Sequence, residues 1–408
     1  MTALALAPSA FLPRGPFAYA MELLNRVVER RGHIPMLANV MMRATSSGAV
    51  IEATDLDMIL RATIPGAMAD DGFATTLPAA MLRDLVRKSA ADDVEMSLAS
   101  ERRQVGGRME RRDSAALSLA GSKATLEALP VEDWPQLDFA GPINAEFEMS
   151  AEGFREALQQ VAFAISTEET RYYLNGVHVH VARGLDGADA LRFVATDGHR
   201  LARHEAPLPD GCASMPGIIV PRKTIGFLLH MLKPIYEGKG KGKVRTSPET
   251  VRVFVNCTKA RFVFGDLDLT TKLIDGTFPD YQRCIPAANP KRLTVRRDEF
   301  AALIDNVSSL SSERGRAVKL TIEAGMVEAS VVNPDAGRIS NMIACTYDDA
   351  PIEIGFNARY LLDILATCPT NDFGEVTVQL NDAGAPAVIT AHGSPACRSL
   401  FVQMPMRV

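Results

Sequence analysis

A chain of 408 residues, 47% hydrophobic and 23% charged, is too long for one ordinary core and ordinary in composition for a globular protein. Its length suggests about two to three domains. A net charge of −5 gives no global signal for nucleic acid, so any such function must rest on where the charges sit. No apolar run approaches the roughly 18 residues of a membrane span. The six scattered cysteines, Cys212, Cys257, Cys284, Cys345, Cys368 and Cys397, form no Cys-x-x-Cys and no Cys/His pairing. That argues against a zinc site or disulfide framework and fits a reducing cytoplasm.

In chain order, residues 1–10 are small and apolar with no preceding basic residue, and read as a loose tail rather than a secretory signal. An amphipathic helix is expected over 21–28, followed by Glu52-Ala53-Thr54-Asp55. Leu77-Pro78 then leads into a second helix over 81–86, and 94–98 alternates as a strand. The copy ends in the Pro-bearing exit 129–135. The same order recurs. A helix over 154–161 precedes Val194-Ala195-Thr196-Asp197, Val220-Pro221 leads into a helix over 225–229, a strand runs over 251–255, and 275–281 is a second Pro-bearing exit.

It recurs again with a helix over 300–307, Glu328-Ala329-Ser330-Val331, Phe356-Asn357 before a helix over 360–365, and a strand over 376–380. The central alanines, Ala53, Ala195 and Ala329, are 142 and 134 residues apart. The pattern predicts an α+β protein of three repeated domains, each with two helices against antiparallel sheet. The links near Gly141-Pro142 and Asn289-Pro290 set the domains at 1–141, 142–289 and 290–408.

The stretch Thr196-Asp197-Gly198-His199-Arg200-Leu201-Ala202 follows strand-forming 191–195. Asp-Gly between such runs predicts a tight hairpin, because the turn needs positive φ. Asp197 and His199 invite a catalytic reading, but no nucleophile motif lies nearby, so a polar hairpin tip is the simpler account. Basic residues gather on or beside the predicted helices: Arg26, Arg30 and Arg31; Arg83, Arg87 and Lys88; Arg222, Lys223, Lys233, Lys239, Lys241 and Lys243; Arg296 and Arg297. Two readings stand for them, a phosphate-facing surface and ordinary solvated helix faces. No phosphate-binding Gly loop, metal cluster or triad pattern is present, so no cofactor and no enzymatic activity are expected.

Six stretches taken together resemble the bacterial DNA polymerase III beta sliding clamps, the processivity factors of the replicative polymerase. They are 171–176 (Arg-Tyr-Tyr-Leu-Asn-Gly), 196–202, Val220-Pro221-Arg222-Lys223, Phe278-Pro279-Asp280-Tyr281, Ile354-Gly355-Phe356-Asn357 and Met404-Pro405-Met406-Arg407. The resemblance runs from about Phe17 to the end and is weakest in the first domain. It implies clamp-type domains forming a ring as a head-to-tail homodimer, with helices lining the hole around duplex DNA. It implies DNA contact at Arg31, Tyr172, Tyr173, Arg222 and Lys223. Thr167 and Glu168 match DNA-contacting positions too, but a carboxylate at 168 is unfavourable beside phosphate.

It also implies a partner-peptide pocket at Leu174, Thr196, Gly198, His199, Arg200, Leu201, Pro279, Arg283, Cys284, Asn357, Tyr360, Pro386, Val402, Gln403, Met404, Pro405, Met406 and Arg407. Methionine makes an adaptable apolar wall for such a pocket, while for Leu201 and Val402 plain core packing stands as the alternative. Gln403 and Cys284 occupy positions that are usually aliphatic. A dimer joint is implied at Ala124 and Leu126 on one side and Ser309 and Leu310 on the other. Implied partners are polymerase subunits, other clamp-binding-motif proteins and a separate ATP-dependent loader, with no membrane. Two rivals stand beside this reading: a chance threefold pattern within an enzyme, and a clamp paralogue specialised for plasmid replication or repair.

Overall fold

A computed structural model describes residues 7–30, 32–45, 48–105, 108–184, 187–237, 244–245, 247–311, 316–392 and 398–408. The predicted helices form as α1 (Arg14–Leu24), α2 (Ala79–Lys88), α3 (Ala151–Ala162), α4 (Arg222–Met231), α5 (Arg297–Ser308) and α6 (Ala358–Thr367). Each shows one apolar face: α2 buries Ala79, Leu82 and Val86, and α6 buries Ala358, Leu361, Ile364 and Leu365. Pro78 and Pro221 stand at the N-caps of α2 and α4, ending the preceding strand. In α6 the equivalent position is Asn357, whose side chain accepts from the Tyr360 N–H at 3.3 Å.

Two expectations are corrected near the N-terminus. The first helix lies over Arg14–Leu24 rather than 21–28, and Asn25 to Val28 form turns. Its buried face, Phe17, Met21 and Leu24, begins behind Gly15 and Pro16, and proline is tolerated in a first turn. The end of the supposed loose tail is also ordered: Ser9–Pro13 is a strand paired with both Met68–Ala69 and Asp93–Val105.

The chain gathers into two compact units, Met1–Ala151 with Lys233–Lys272, and Glu152–Leu232 with Leu273–Val408. This grouping follows the sheets rather than the sequence copies. In the first unit, Met58–Ile64 of copy one pairs with Leu267–Lys272 of copy two, within an eight-stranded antiparallel sheet. In the second, Arg200–Pro207 of copy two pairs with Ser399–Gln403 of copy three, again within eight strands. A five-stranded sheet ending on Ser122–Ala128 and a four-stranded sheet ending on Gly337–Ala344 complete the main layers.

The repeat is visible at the level of single hydrogen bonds. Thr54 Oγ1 donates to Met58 O at 2.9 Å and accepts from Leu56 N at 3.0 Å. Asp55 Oδ1 accepts from the N–H groups of Asp57 at 3.0 Å and Met58 at 2.8 Å. Thr196 Oγ1 likewise donates to Arg200 O at 2.7 Å and accepts from Gly198 N at 3.1 Å. Asp197 Oδ1 accepts from His199 N at 2.9 Å and Arg200 N at 3.0 Å. The third residue has positive φ in both, +75° at Leu56 and +88° at Gly198.

Candidate functional site

The hairpin Asp189–Thr196 and Arg200–Pro207 carries the first cluster of predicted site residues. Asp197 is used up by the turn and by Arg200, whose Nε donates to its Oδ2 at 3.1 Å. That geometry favours the structural account of Asp197 and His199. Arg200 is 9% exposed. Its Nη1 reaches Asp363 Oδ2 at 2.6 Å and its Nη2 reaches Phe163 O at 2.7 Å. Its guanidinium also lies 4.5 Å from the centre of the Tyr360 ring and 5.1 Å from that of Phe163. Tyr360 in turn stacks on His199 with ring centres 6.0 Å apart.

Strand pairing brings in the C-terminus. Leu201 lies opposite Val402 and Arg200 opposite Gln403. Met404 N donates to His199 O at 2.9 Å, and Met406 N to Gly355 O at 2.8 Å. Gly355 is required there, since a Cβ would sit 2.5 Å from Met406 O. Leu201 and Val402 are buried with Val194 and Tyr281, and Phe278, Ile285 and Leu400 pack against them. They therefore form a floor, and the core-packing reading of both is correct as far as burial goes. Around them Gly198, His199, Pro279, Arg283, Cys284, Met404 and Arg407 are exposed, while Thr196, Asn357, Tyr360, Pro386, Pro405 and Met406 are half-buried. Gln403 is buried, its Nε2 donating to Met404 O at 3.3 Å and its Oε1 without a partner. Arg283 pairs with Asp280 at 2.9 Å, and Asn289 Nδ2 donates to Pro386 O at 2.9 Å. Leu174 is buried at the end of the 3-10 turn Glu169–Leu174.

That turn carries the second cluster. Tyr172 is 54% exposed and meets Tyr173 edge-on, with ring centres 5.7 Å apart. Arg222 and Lys223 open α4, both exposed. Tyr172, Arg222 and Lys223 line one open cavity of about 660 Å³, together with Asn175, Pro221, Gly226 and Ile274. Glu168 turns its carboxylate to Arg171 at 3.3 Å, so its charge is met locally. Arg31, Lys239, Lys241 and Lys243 lie outside the described residues. Arg296 and Arg297 pair with Glu299 and Asp298, at 3.3 and 2.9 Å, which weakens them as phosphate contacts.

Three family models match in succession: the N-terminal domain of the DNA polymerase III beta subunit over residues 11–138, its central domain over 148–280 and its C-terminal domain over 282–407. The chain belongs to the DNA polymerase III beta subunit family, the beta sliding clamps. The expected fold of three clamp domains is borne out, and as a clamp the chain is a non-catalytic subunit. A beta sliding clamp of Caulobacter vibrioides is 37% identical over 97% of this chain and 99% of its own length. One from Pseudomonas putida is 30% identical over 95% and 96%. The crystal structure of a sliding clamp from Bartonella birtlesii bound to griselimycin superposes with a TM-score of 0.84 at 38% identity, covering 98% of this chain and 99% of that one. The Caulobacter crescentus clamp gives 0.85 at 35%, covering 98% and 100%. Relatives named plainly as beta sliding clamps do not favour the specialised-paralogue reading.

The residues expected at a clamp joint lie on a sheet edge in one unit and just past α5 in the other. Ala124 and Leu126 stand on the edge strand Ser122–Ala128 and line a cavity of about 680 Å³ with Met81, Leu85, Lys88 and Leu119. Ser309 is exposed just past α5, its hydroxyl donating to Asn306 O at 2.7 Å, and half-buried Leu310 accepts at its carbonyl from Asn333 Nδ2 at 3.0 Å. Sequence reasoning missed the apolar residues that accompany them: Met81, Val332 and Met342 are 62%, 71% and 56% exposed. Glu313 and Arg314, expected to help there, lie outside the described residues. It also missed Asp363, Phe163 and Tyr281 around Arg200 and Leu201, although Tyr281 sits in a quoted motif.

Proposed function

We propose that this clamp encircles duplex DNA as a head-to-tail homodimer and tethers polymerase subunits and other clamp-binding proteins through an apolar peptide pocket. We place the breaks between its domains at 141/142 and 289/290. The observation that carries the reading is the unbroken succession of three beta-subunit domain matches over nearly the whole chain. DNA contact at Tyr172, Tyr173, Arg222 and Lys223 is supported by the cavity that Tyr172, Arg222 and Lys223 share. Two cations and a ring that can lie along a backbone suit a surface that holds phosphate without reading sequence. Arg31 joins them by resemblance alone.

The peptide pocket is supported by the buried floor of Leu201 and Val402, rimmed by exposed His199, Pro279, Cys284 and Met404. That a relative binds griselimycin supports a ligand site in this family. Ring closure is supported by two sheet edges, Ser122–Ala128, whose Ala124 and Leu126 line a cavity with exposed Met81, and Gly337–Ala344, which carries exposed Met342, since exposed edges are ready templates for pairing. The clamp acts in the cytoplasm, is placed on DNA by a separate ATP-dependent loader, and uses no cofactor. No described helix is long and apolar enough to cross a membrane.

Ala124 and Ser309 are small for a joint, so the dimer is expected to be weaker than is usual for the family. Sedimentation across a dilution series should show dissociation, with Ala124→Phe plus Ser309→Ile tightening it. A dimer intact at nanomolar concentration and indifferent to Leu310→Ala would put the joint elsewhere. For the pocket, deleting Met404 to Val408 should abolish griselimycin binding in a folded clamp, and unchanged affinity would contradict the assignment.

A further inference from the structure

The sheet face that carries Leu201 continues into a partly buried polar chain that no role described so far uses. His178 lies flat against Phe278, with ring centres 4.7 Å apart and planes 9° apart, and stacks on His180 at 4.6 Å. His180 Nε2 lies 3.0 Å from the Tyr281 hydroxyl. Arg192 Nη1 donates to the same oxygen at 3.3 Å, and its Nε donates to Glu205 at 2.8 Å. Tyr281 is 5% exposed and its ring belongs to the Val194, Leu201 and Val402 floor. The residues beside it, Pro279, Arg283 and Cys284, are exposed pocket candidates.

We propose that Tyr281 is a positioning residue for the partner pocket, its hydroxyl tying the 278–285 wall to the sheet through Arg192 and a neutral His180. The inference rests on the peptide-pocket reading above. Its proton logic is closed. A guanidinium only donates, so the phenol oxygen accepts from Arg192 and the phenol proton goes to His180 Nε2. His180 then carries its own proton on Nδ1, 3.2 Å from Val181 O. An imidazolium would turn a second donor toward that oxygen and leave the phenol proton without an acceptor.

The surroundings favour the neutral ring. His180 faces His178 on its own strand, Arg192 on the next and Tyr281 on the covering segment. On the strand beyond, Glu205 is shared between Arg192 and Arg203, at 2.8 and 3.5 Å, so two cations meet one carboxylate. The Asp280–Arg283 pair on the covering segment points to solvent. Burial first, and the Arg192 charge after it, hold His180 below the ordinary histidine value.

The test uses the full chain, griselimycin as probe and calorimetric titration from pH 7.5 down to 4.5, with circular dichroism confirming the fold at each pH. Tyr281→Phe keeps the ring and removes the tether. It should weaken binding roughly tenfold at pH 7.5, the usual scale for one buried hydrogen bond. Wild-type affinity should fall as the pH drops, and that fall should shrink in Tyr281→Phe. His180→Gln, whose side-chain oxygen accepts a hydrogen bond but does not titrate, should also lose it. Where Tyr281→Phe fails to fold, His180→Gln alone decides. Equal affinity in folded Tyr281→Phe, or an undiminished pH dependence in His180→Gln, overturns the proposal while a Met404–Val408 deletion that abolishes binding keeps the pocket. Binding that survives that deletion overturns the pocket reading and the proposal with it.

Discussion

The turns at 54–58 and 196–200 close the same circuit of hydrogen bonds, threonine to the fifth carbonyl and aspartate to the fourth and fifth N–H groups. Their fifth residues differ. Met58 is 2% exposed and lies in an ordinary core. Arg200 is held by Asp197, Asp363 and the Phe163 carbonyl, against two aromatic rings. The backbone device is thus a repeat inheritance with no function of its own. What makes the second copy a candidate site is a buried cation that reaches residues of the third copy.

Removing those fifth side chains is the strongest way to break the comparison. Arg200→Ala removes the cation from Asp197, which keeps its two backbone donors, and from partly exposed Asp363, and should cost about 1.5–3 kcal/mol. It should also weaken griselimycin binding, because Tyr360 loses its support. Met58→Ala should cost about 2–5 kcal/mol through lost packing while leaving that affinity unchanged. Thermal melts paired with titrations check both, and a loss of affinity in Met58→Ala would mean that the two turns are not separable.

Acid sharpens the difference next. Burial pushes His178 and His204 down to about 4, with the His180 charge assisting at His178 and the Arg398 charge at His204. Their neutral forms belong to the folded state, so their stabilisation is complete above the unfolded value near 6.5 and is lost as the pH falls toward 4. Each contributes up to about 3 kcal/mol on that scale. Residues 48–64 around the first turn contain no histidine. Hydrogen-exchange protection, corrected for the intrinsic rate at each pH, should therefore fall with acid in Gly176–Arg183 and Arg200–Pro207 but change far less in Gly48–Thr54. A uniform fall in protection would contradict the local assignment.

The smallest effects lie at the third residue of each turn. At Gly198 a Cβ would meet Arg171 Nη1 at 2.8 Å as well as a φ of +88°. Gly198→Ala should cost about 1–2 kcal/mol. Leu56 already bears that strain at φ +75° and is 37% exposed. Leu56→Gly should gain a few tenths to about 1 kcal/mol, strain relief being offset by glycine's greater entropy loss. Denaturant midpoints would resolve the opposite signs.

Local patterning made the Asp-Gly turn, five of the six helices and the three strand runs legible, because each depends on residues close in sequence. The start of α1 was hidden behind Gly15 and Pro16. The pairing of Arg200 with Gln403 has no local signal, since which sheet edges join is decided by packing across copies. His178 and His180 share one face of the strand Gly176–Arg183, and nothing local in sequence shows that Phe278 and Tyr281 cover that face. The partner list of Arg200 was illegible for the same reason: Asp363 and Phe163 meet it only in three dimensions.

The central claim, that this clamp holds DNA topologically rather than by affinity, is tested most directly by loading it on a nicked circular duplex and measuring retention before and after linearisation. The account predicts stable retention on the circle in salt that removes phosphate contacts, and rapid loss once an end is opened. Retention that is unchanged by linearisation, or absent from the circle while the protein remains dimeric, would contradict it.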